Sequence, residues 1–359
     1  MSTSHETSHL APMPAKFWGQ PTTPFSREIP NLQLVWDSTS LGWLKACPRY
    51  YYYRMLWGKE TKMASIHLTF GLLYHEALEA YDQQRAAGHS HDAAQFYAVT
   101  LALQKSVTYY MAWRCANCGR VWQADHDKCK ACGDDPTQPF TYWRDKLTEL
   151  PNKGRQQLVR AVVWYTEQFQ NDALETVQLE DGRAAVEVTF KVPLDFGPSS
   201  SGEHYVLSGH LDRLATSDEG TFVADRKTTS STLYPSYFDR FSPDGQVTQY
   251  TIAGQVISKR PLQGVIIDAA QLMVNGVRFQ RGYIHRTESQ LEEWLDDFQE
   301  WMAAAERYAR RGHWPMNEKA CGSYGGCPFR AVCGRSPEVR QKYLDNDFVE
   351  QEWNPARSR

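Results

Sequence analysis

Two hydrophobic periods divide the chain. Over roughly the first half, apolar positions recur at helical spacing. Leu72, Leu73, Leu78 and Tyr81 predict a helix over 69–85, residues 92–113 continue a helix-like pattern, and 154–170 resume it. Ser40 reads as the cap of an earlier helix through Cys47, after which Pro48 restarts the chain. From Ala185 the period falls to two, with Val186, Val188, Phe190 and Val192 on one face, and strand-like runs follow at 205–214 and 221–224. A helical segment at 246–258 leads into an apolar run at 264–274 and another strand at 277–285. Thr287 or Ser289 then caps a long amphipathic helix to about Arg311. Strands, helix and strands in that order predict an α/β core behind a helical N-terminal part.

Composition narrows the class. With 359 residues, 42% of them hydrophobic and 23% charged, the chain can bury a substantial core, and no apolar run is long enough to cross a bilayer. Residues 1–30 are rich in Ser, Thr, Pro and His and show neither the basic start nor the apolar stretch of a secretory signal, so a cytoplasmic, reducing setting is expected. A net charge of −3 means that local patches must carry any nucleic-acid contact; carboxylates gathered around divalent cations would add acidity of their own. The predicted organisation is a flexible arm at 1–35, one domain at 36–335 with a Cys- and Gly-rich insertion at 114–136 between helices, and a tail at 336–359. No internal repeat is present.

Eight cysteines in a reducing compartment point to metal ligands in preference to disulfides. They fall into two fours. Cys115, Cys118, Cys129 and Cys132 form paired CxxC knuckles, each running into a glycine (Gly119, Gly133), and this spacing predicts a zinc ribbon. The basic residues Arg114, Arg120, Lys128 and Lys130 around it could touch DNA or a partner protein, or the ribbon could simply stabilise the insertion. Cys47 and the distant Cys321, Cys327 and Cys333 complete a second set, and four thiolates suit either tetrahedral zinc or an iron–sulfur cluster.

The segment Gly209-His-Leu-Asp212-Arg213, followed after a turn by Val223-Ala-Asp225-Arg226-Lys227-Thr228, places one acid on a strand and an Asp-x-Lys on its neighbour, with Asp225 and Lys227 on one face. Two carboxylates can hold Mg2+ or Mn2+, and an ammonium beside them can orient an attacking water and stabilise phosphate charge. Taken alone, Asp-x-Lys also describes a solvated strand end, and a lone helical histidine such as His75 also describes a satisfied core residue.

In combination these residues resemble the RecB-type PD-(D/E)XK nucleases. Asp212 and Asp225-x-Lys227 resemble that family's second and third motifs, and Gly71-Leu-Leu-Tyr-His75 resembles an early helix whose histidine meets the metal. Gln246-Val-Thr-Gln-Tyr250 resembles the Gln-x-x-x-Tyr that opens the following helix. Cys47-Pro-Arg-Tyr with the three late cysteines resembles the iron–sulfur members of the AddB and CRISPR-adaptation groups.

The resemblance implies a restriction-endonuclease-like core acting as a metal-dependent DNA nuclease, an exonuclease on DNA ends or single strands in phage or bacterial recombination and repair. His75, Asp212, Asp225 and the carbonyl of Arg226 would bind the metal, Lys227 would position water, and Gln246 and Tyr250 would hold the strand. Cys47, Cys321, Cys327 and Cys333 would carry a [4Fe–4S] cluster that staples the two ends of the chain. Glu187 is either a further ligand or an outward strand residue, and Tyr50 to Tyr53 either stack on bases or pack in the core. A fold-retaining protein that binds nucleic acid without cutting, or a scaffold, is the alternative. A zinc-ribbon transcription factor would leave the strand motifs and the second quartet unexplained.

Overall fold

The structure, a computed structural model, describes residues 23–62, 65–123, 127–133, 137–147, 150–195, 197, 199–258 and 261–357. Most of the expected arm, residues 1–22, and residues 124–126 and 134–136 of the expected insertion lie outside them. Within the remainder of the arm, Ile29, Leu32 and Leu34 are already buried in the core. Strand β1 (Val35–Trp36) leads into helix α1 (Ser38–Ala46). Asp37, not Ser40, caps this helix: its carboxylate accepts from the Ser40 amide at 2.8 Å, and Ser40 returns a contact to the Asp37 amide. The serine is therefore the third helical residue of a capping box whose acid stands one step outside the helix.

Helix α2 (Pro48–Tyr51) passes into a π-helical turn at Tyr52–Leu56, and strand β2 (Lys59–Thr61) follows. Tyr51 and Tyr53 are buried, Tyr51 donating to Gln33 Oε1 at 2.8 Å and Tyr53 packing on Phe329, so these two rings serve the core.

Helices α3 (Ile66–Ala86) and α4 (His91–Lys105) pack closely because α4 presents Ala94, Ala98 and Ala102 to Leu73 and Ala77 of α3. The helix expected to reach residue 113 ends at Lys105. Beyond it, Val-Thr-Tyr-Tyr-Met-Ala-Trp is a β-branched and aromatic run, and it forms β3 (Val107–Arg114). With β4 (Val121–Trp122) and β5 (Gln138–Asp145) it makes a three-stranded antiparallel ribbon in the order β4-β3-β5. The cysteine-rich segment is thus the end of a β-ribbon. The ribbon as a whole stands between α4 and helix α5 (Arg155–Gln168).

The main sheet has seven strands. After β6 (Glu175–Thr176) come β7 (Val186–Pro193), β8 (Val206–Ser217) and β9 (Gly220–Thr229), then helices α6 (Pro235–Asp239) and α7 (Gly245–Ser258), then β10 (Leu262–Met273) and β11 (Gly276–Ile284). The order is β1-β8-β9-β10-β11, with β6 and β7 also paired to β8. The crossover from β9 to β10, through α6 and α7, makes that pair parallel, and β1 also lies parallel to β8. Alternation along β10 sends Val265, Ile267 and Ala269 to the core under α7 and helix α8 (Glu288–Arg311), and Ala270 and Leu272 to the core under α3 and α5. Thr287 caps α8 as expected. The sheet is therefore sandwiched by helices, an α/β arrangement.

Residues 318–357 return to the start of the chain. A 3-10 run at Glu318–Gly325 carries Cys321, short helix α9 (Arg330–Cys333) carries Cys333, Cys327 lies in the connection between them, and helix α10 (Pro337–Asp347) follows. Strand β12 (Phe348–Glu350) then pairs antiparallel with β2. Trp353 donates to Asp37 Oδ2 at 2.8 Å, and Ser208 donates to the Pro355 carbonyl at 2.6 Å. The segment expected as a tail is packed onto the N-terminal helices and the main sheet.

Candidate active site

Strands β8 and β9 pair only from Ser217↔Gly220 to Arg213↔Ala224. Beyond that point β8 stays on β7 while β9 follows β10 through Gln271↔Thr229, so the two strands part at Asp212 and Asp225. The gap leaves room for side-chain chemistry inside a sheet. The Arg226 amide donates to Asp212 Oδ2 across it at 2.8 Å. His75 of α3 brings Nδ1 to 3.2 Å from the same oxygen. From β7, Glu187 enters with a φ of +49°, an uncommon conformation for a non-glycine residue in a strand. Ligand atoms of His75, Glu187 and Asp212 all lie within 4.8 Å of one another.

Lys227 closes the other side. Its ammonium donates to Asp225 Oδ1 at 2.9 Å and to Gln246 Oε1 at 2.8 Å, and Gln246 Nε2 donates to the Tyr250 hydroxyl at 3.2 Å. One turn of α7 separates the amide from the phenol, which is why Gln-x-x-x-Tyr makes a contiguous relay. The second Asp225 oxygen lies 2.8 Å from the Lys227 ammonium but outside hydrogen-bond direction, and it is buried with no hydrogen-bond partner.

Burial acts first on every charge here. It raises Asp225, which is 1% exposed, and the nearby Asp212 charge adds to the effect; Lys227 only partly offsets it, leaving the carboxyl pushed up to about 6. For Asp212 burial also pushes upward, but His75, Lys227 and the Arg226 amide outweigh it and hold the group below the usual carboxylate range. His75 and Lys227 are raised, since Asp212 and Asp225 overcome the burial that would discharge them. Two acids are thus pressed together in a buried place that favours added positive charge. Together with the buried Asp225 carboxylate, the His–Glu–Asp triplet fits a hard divalent cation taking oxygen and imidazole donors.

A second layer escaped the sequence motifs. Arg226, 3% exposed, bonds through Nη2 to Asp82 of α3, and Asp82 Oδ2 also lies 3.9 Å from Arg213 Nε. Beyond Arg226, Asp268 accepts from Tyr165 and lies 3.3 Å from Arg281, which grips Asp172 with two hydrogen bonds. Asp82 stands two helical turns after His75 on the same face of α3, and that spacing was the available signal.

The two cysteine sets differ in geometry. In the ribbon, Cys115 and Cys132 sulfurs are 3.6 Å apart, as are those of Cys118 and Cys129, and all four lie within 4.8 Å of one another. Zn–S bonds of about 2.3 Å in a tetrahedron give edges of about 3.8 Å, so the set can close on one metal ion. Gly119 and Gly133 take positive φ and donate back to the Cys115 and Cys129 carbonyls, completing the knuckles. The Ala131 amide, helped by the Cys132 amide and the neighbouring thiols, pulls Cys129 down to about 6 against the opposing effect of burial.

The terminal set brings cysteines from both ends of the fold into one region, where Cys321 and Cys47 act on Cys327, and Cys327 and Cys47 act on Cys333. Burial raises the Cys327 and Cys333 thiols, and both sense the charge of Cys47. Cys47 accepts from the Asn317 amide at 3.3 Å. Among the described residues, no three of these four sulfurs lie within 4.8 Å of one another.

A family model described as the PD-(D/E)XK nuclease superfamily matches residues 38–334. No curated protein matches the chain.

Proposed function

The chain belongs to the PD-(D/E)XK nuclease superfamily, and from that membership we propose a Mg2+- or Mn2+-dependent deoxyribonuclease of RecB type, an exonuclease acting on DNA ends or single strands. Recombination or repair in a phage or bacterium is the setting proposed for it. The observation that carries this function is the convergence of His75, Glu187 and Asp212 beside the buried Asp225 carboxylate. With the Arg226 carbonyl, these groups would hold the cation. When bound, a divalent cation supplies positive charge against the scissile phosphate.

The remaining chemistry belongs to the side chains. Lys227, kept charged by Asp225 and Asp212, orients the water that attacks phosphorus and faces the negative charge that grows on the phosphate. Gln246 fixes the lysine by accepting one of its protons, and Tyr250 anchors Gln246 while offering its hydroxyl to the DNA backbone. A non-cutting binder with the same fold has no use for an acid pair pressed together in a buried gap, which is costly without a cation.

For the cysteines we assign zinc to the ribbon and a [4Fe–4S] cluster to Cys47, Cys321, Cys327 and Cys333. Edges of 3.6 Å suit a single ion, whereas a four-iron cluster needs its four thiolates held farther apart than one zinc ion does.

End-labelled single- and double-stranded DNA incubated with the purified protein and Mg2+, Mn2+ or chelator tests the proposal. Metal-dependent shortening from one end is expected. Binding without any cleavage would reject it in favour of a scaffold.

A further inference from the structure

The ribbon of β3, β4 and β5 carries a surface that the catalytic groups leave unexplained. Tyr109, Tyr110, Met111 and Trp143 are exposed on two strands that pair with each other along their whole length. Register places Tyr110 opposite Tyr142, and therefore on one face with Phe140, Arg144 and Arg114. On that face the Tyr110 and Tyr142 rings stack at 5.4 Å and 23°, and Phe140 continues the row at 5.9 Å from Tyr142. Arg144 lies 5.7 and 5.6 Å from the two tyrosine rings, and Arg114 lies 4.4 Å from Phe140. Exposed Arg120, Lys128 and Lys130 extend the positive charge toward the cysteine end, within a chain whose net charge is −3.

The root of the ribbon touches the catalytic region. In the connection from β5 to α5, Asn152 donates to Ser230, just past β9, the strand of Asp225 and Lys227, at 3.0 Å. The neighbouring Lys153 ammonium lies 6.0 Å from the Phe70 ring on α3, the helix of His75.

We propose that the Tyr110–Phe140–Tyr142 face, edged by Arg114 and Arg144, is a stacking platform for single-stranded DNA leading to or from the active site. Flat rings with guanidinium groups beside them offer what an unpaired strand needs, π-faces for bases and cations for phosphates. A duplex hides its base faces and gains little from such a row. From Arg144, opposite Thr108, to Arg114 the face runs roughly 20 Å at about 3.4 Å per residue, a length on the scale of the few nucleotides that one compact site holds. The DNA assignment rests on the nuclease function proposed above.

The test uses the full, zinc-loaded chain with Ca2+ replacing Mg2+ and no chelator, and reads the anisotropy of a fluorescein-labelled dT 12-mer. Tyr110→Ala should weaken binding about ten-fold, while Tyr110→Phe, which keeps the ring, should stay within about two-fold. Arg144→Gln should lower the slope of log K against log salt by about 0.7. Tyr109→Ala, on the opposite face, should stay within about two-fold of the wild type. Zinc content and melting temperature of each variant show that the ribbon remains folded.

Unchanged affinity in Tyr110→Ala, equal binding of a 12-base-pair duplex, or an equal loss in Tyr109→Ala would overturn the platform. Turnover of thymidine 5′-monophosphate p-nitrophenyl ester, too short to reach the ribbon, separates the two proposals. Tyr110-dependent binding by a wild type that hydrolyses neither this ester nor DNA upholds the platform and rejects the nuclease.

Discussion

Replacing Asp82 by alanine should unfold the protein more readily than any single change at the predicted metal ligands. Asp82 is buried, bonded to the equally buried Arg226 guanidinium, with Arg213 3.9 Å away. Truncation leaves a guanidinium in the interior whose Nε already lacks a hydrogen-bond partner. Stranding one partner of a buried ion pair costs about 3–5 kcal/mol. With an unfolding entropy of about 2.1 cal/mol/K per residue, a chain of 359 residues shifts by about 1.3 °C per kcal/mol, so the melting temperature should fall by roughly 4–7 °C.

Activity should fall as well, because the Arg226 amide is what holds Asp212 Oδ2, and the side chain on the far face pins that stretch of β9. A loss in kcat of about 10- to 100-fold is expected from loosening a group that orients a metal ligand. Urea unfolding followed by circular dichroism, with nuclease assays well below the transition, supplies both numbers. The double variant Asp82→Ala/Arg226→Met removes both charges and should recover much of the stability but not the rate. A single Asp82→Ala variant within about 1 kcal/mol of the wild type would refute the idea that this pair supports the site.

Asp225→Asn should abolish metal-dependent cleavage and remove the rise in melting temperature that Mn2+ gives the wild type, an effect of linkage seen without any turnover. Glu187→Gln should shift the metal concentration needed for half-maximal activity upward by about ten-fold or more, whereas an unchanged titration returns Glu187 to a purely structural place. Gln246→Ala should lower kcat about 10- to 100-fold with metal affinity nearly intact, because it frees Lys227 without touching a ligand. Cys118→Ala should release zinc and spare an iron chromophore, and Cys327→Ala should do the reverse; metal analysis after anaerobic purification distinguishes them, and two zinc ions with no iron in the wild type would reject the cluster.

How much was legible depended on whether chemistry and local pattern coincided. Asp212, Asp225 and Lys227 lie in strands with clear alternation, so motif and geometry pointed the same way, and the structure brings them together with His75, Gln246 and Tyr250. Glu187 was ambiguous because simple alternation does not anticipate a positive φ, and it is that backbone state that accompanies its approach to His75 and Asp212. The helix expected through residue 113 was misjudged where apolar residues sit at helical spacing but are β-branched or aromatic; pairing with β5 decided their conformation. Asp82 and Arg226 went unnoticed as partners because their relation is purely tertiary, set by the way α3 crosses the sheet. The packed C-terminal segment was hidden for the same reason, since its contacts are all with residues far away in sequence.

The pairing of β12 with β2 carries a consequence for how the molecule assembles. Phe348 meets Thr61 and Glu350 meets Lys59, closing a loop of nearly the whole chain. If the intervening segment were still open, bringing those strands together would cost about 5 kcal/mol in chain entropy, more than a three-residue strand can return. The seam therefore zips only after the sheet and its helices have shortened the path between its two halves. During synthesis Tyr53 must wait for Phe329 and Phe348 to leave the ribosome before its packing is complete. In the finished protein, amide exchange should find this seam among the first elements to open and the last to close.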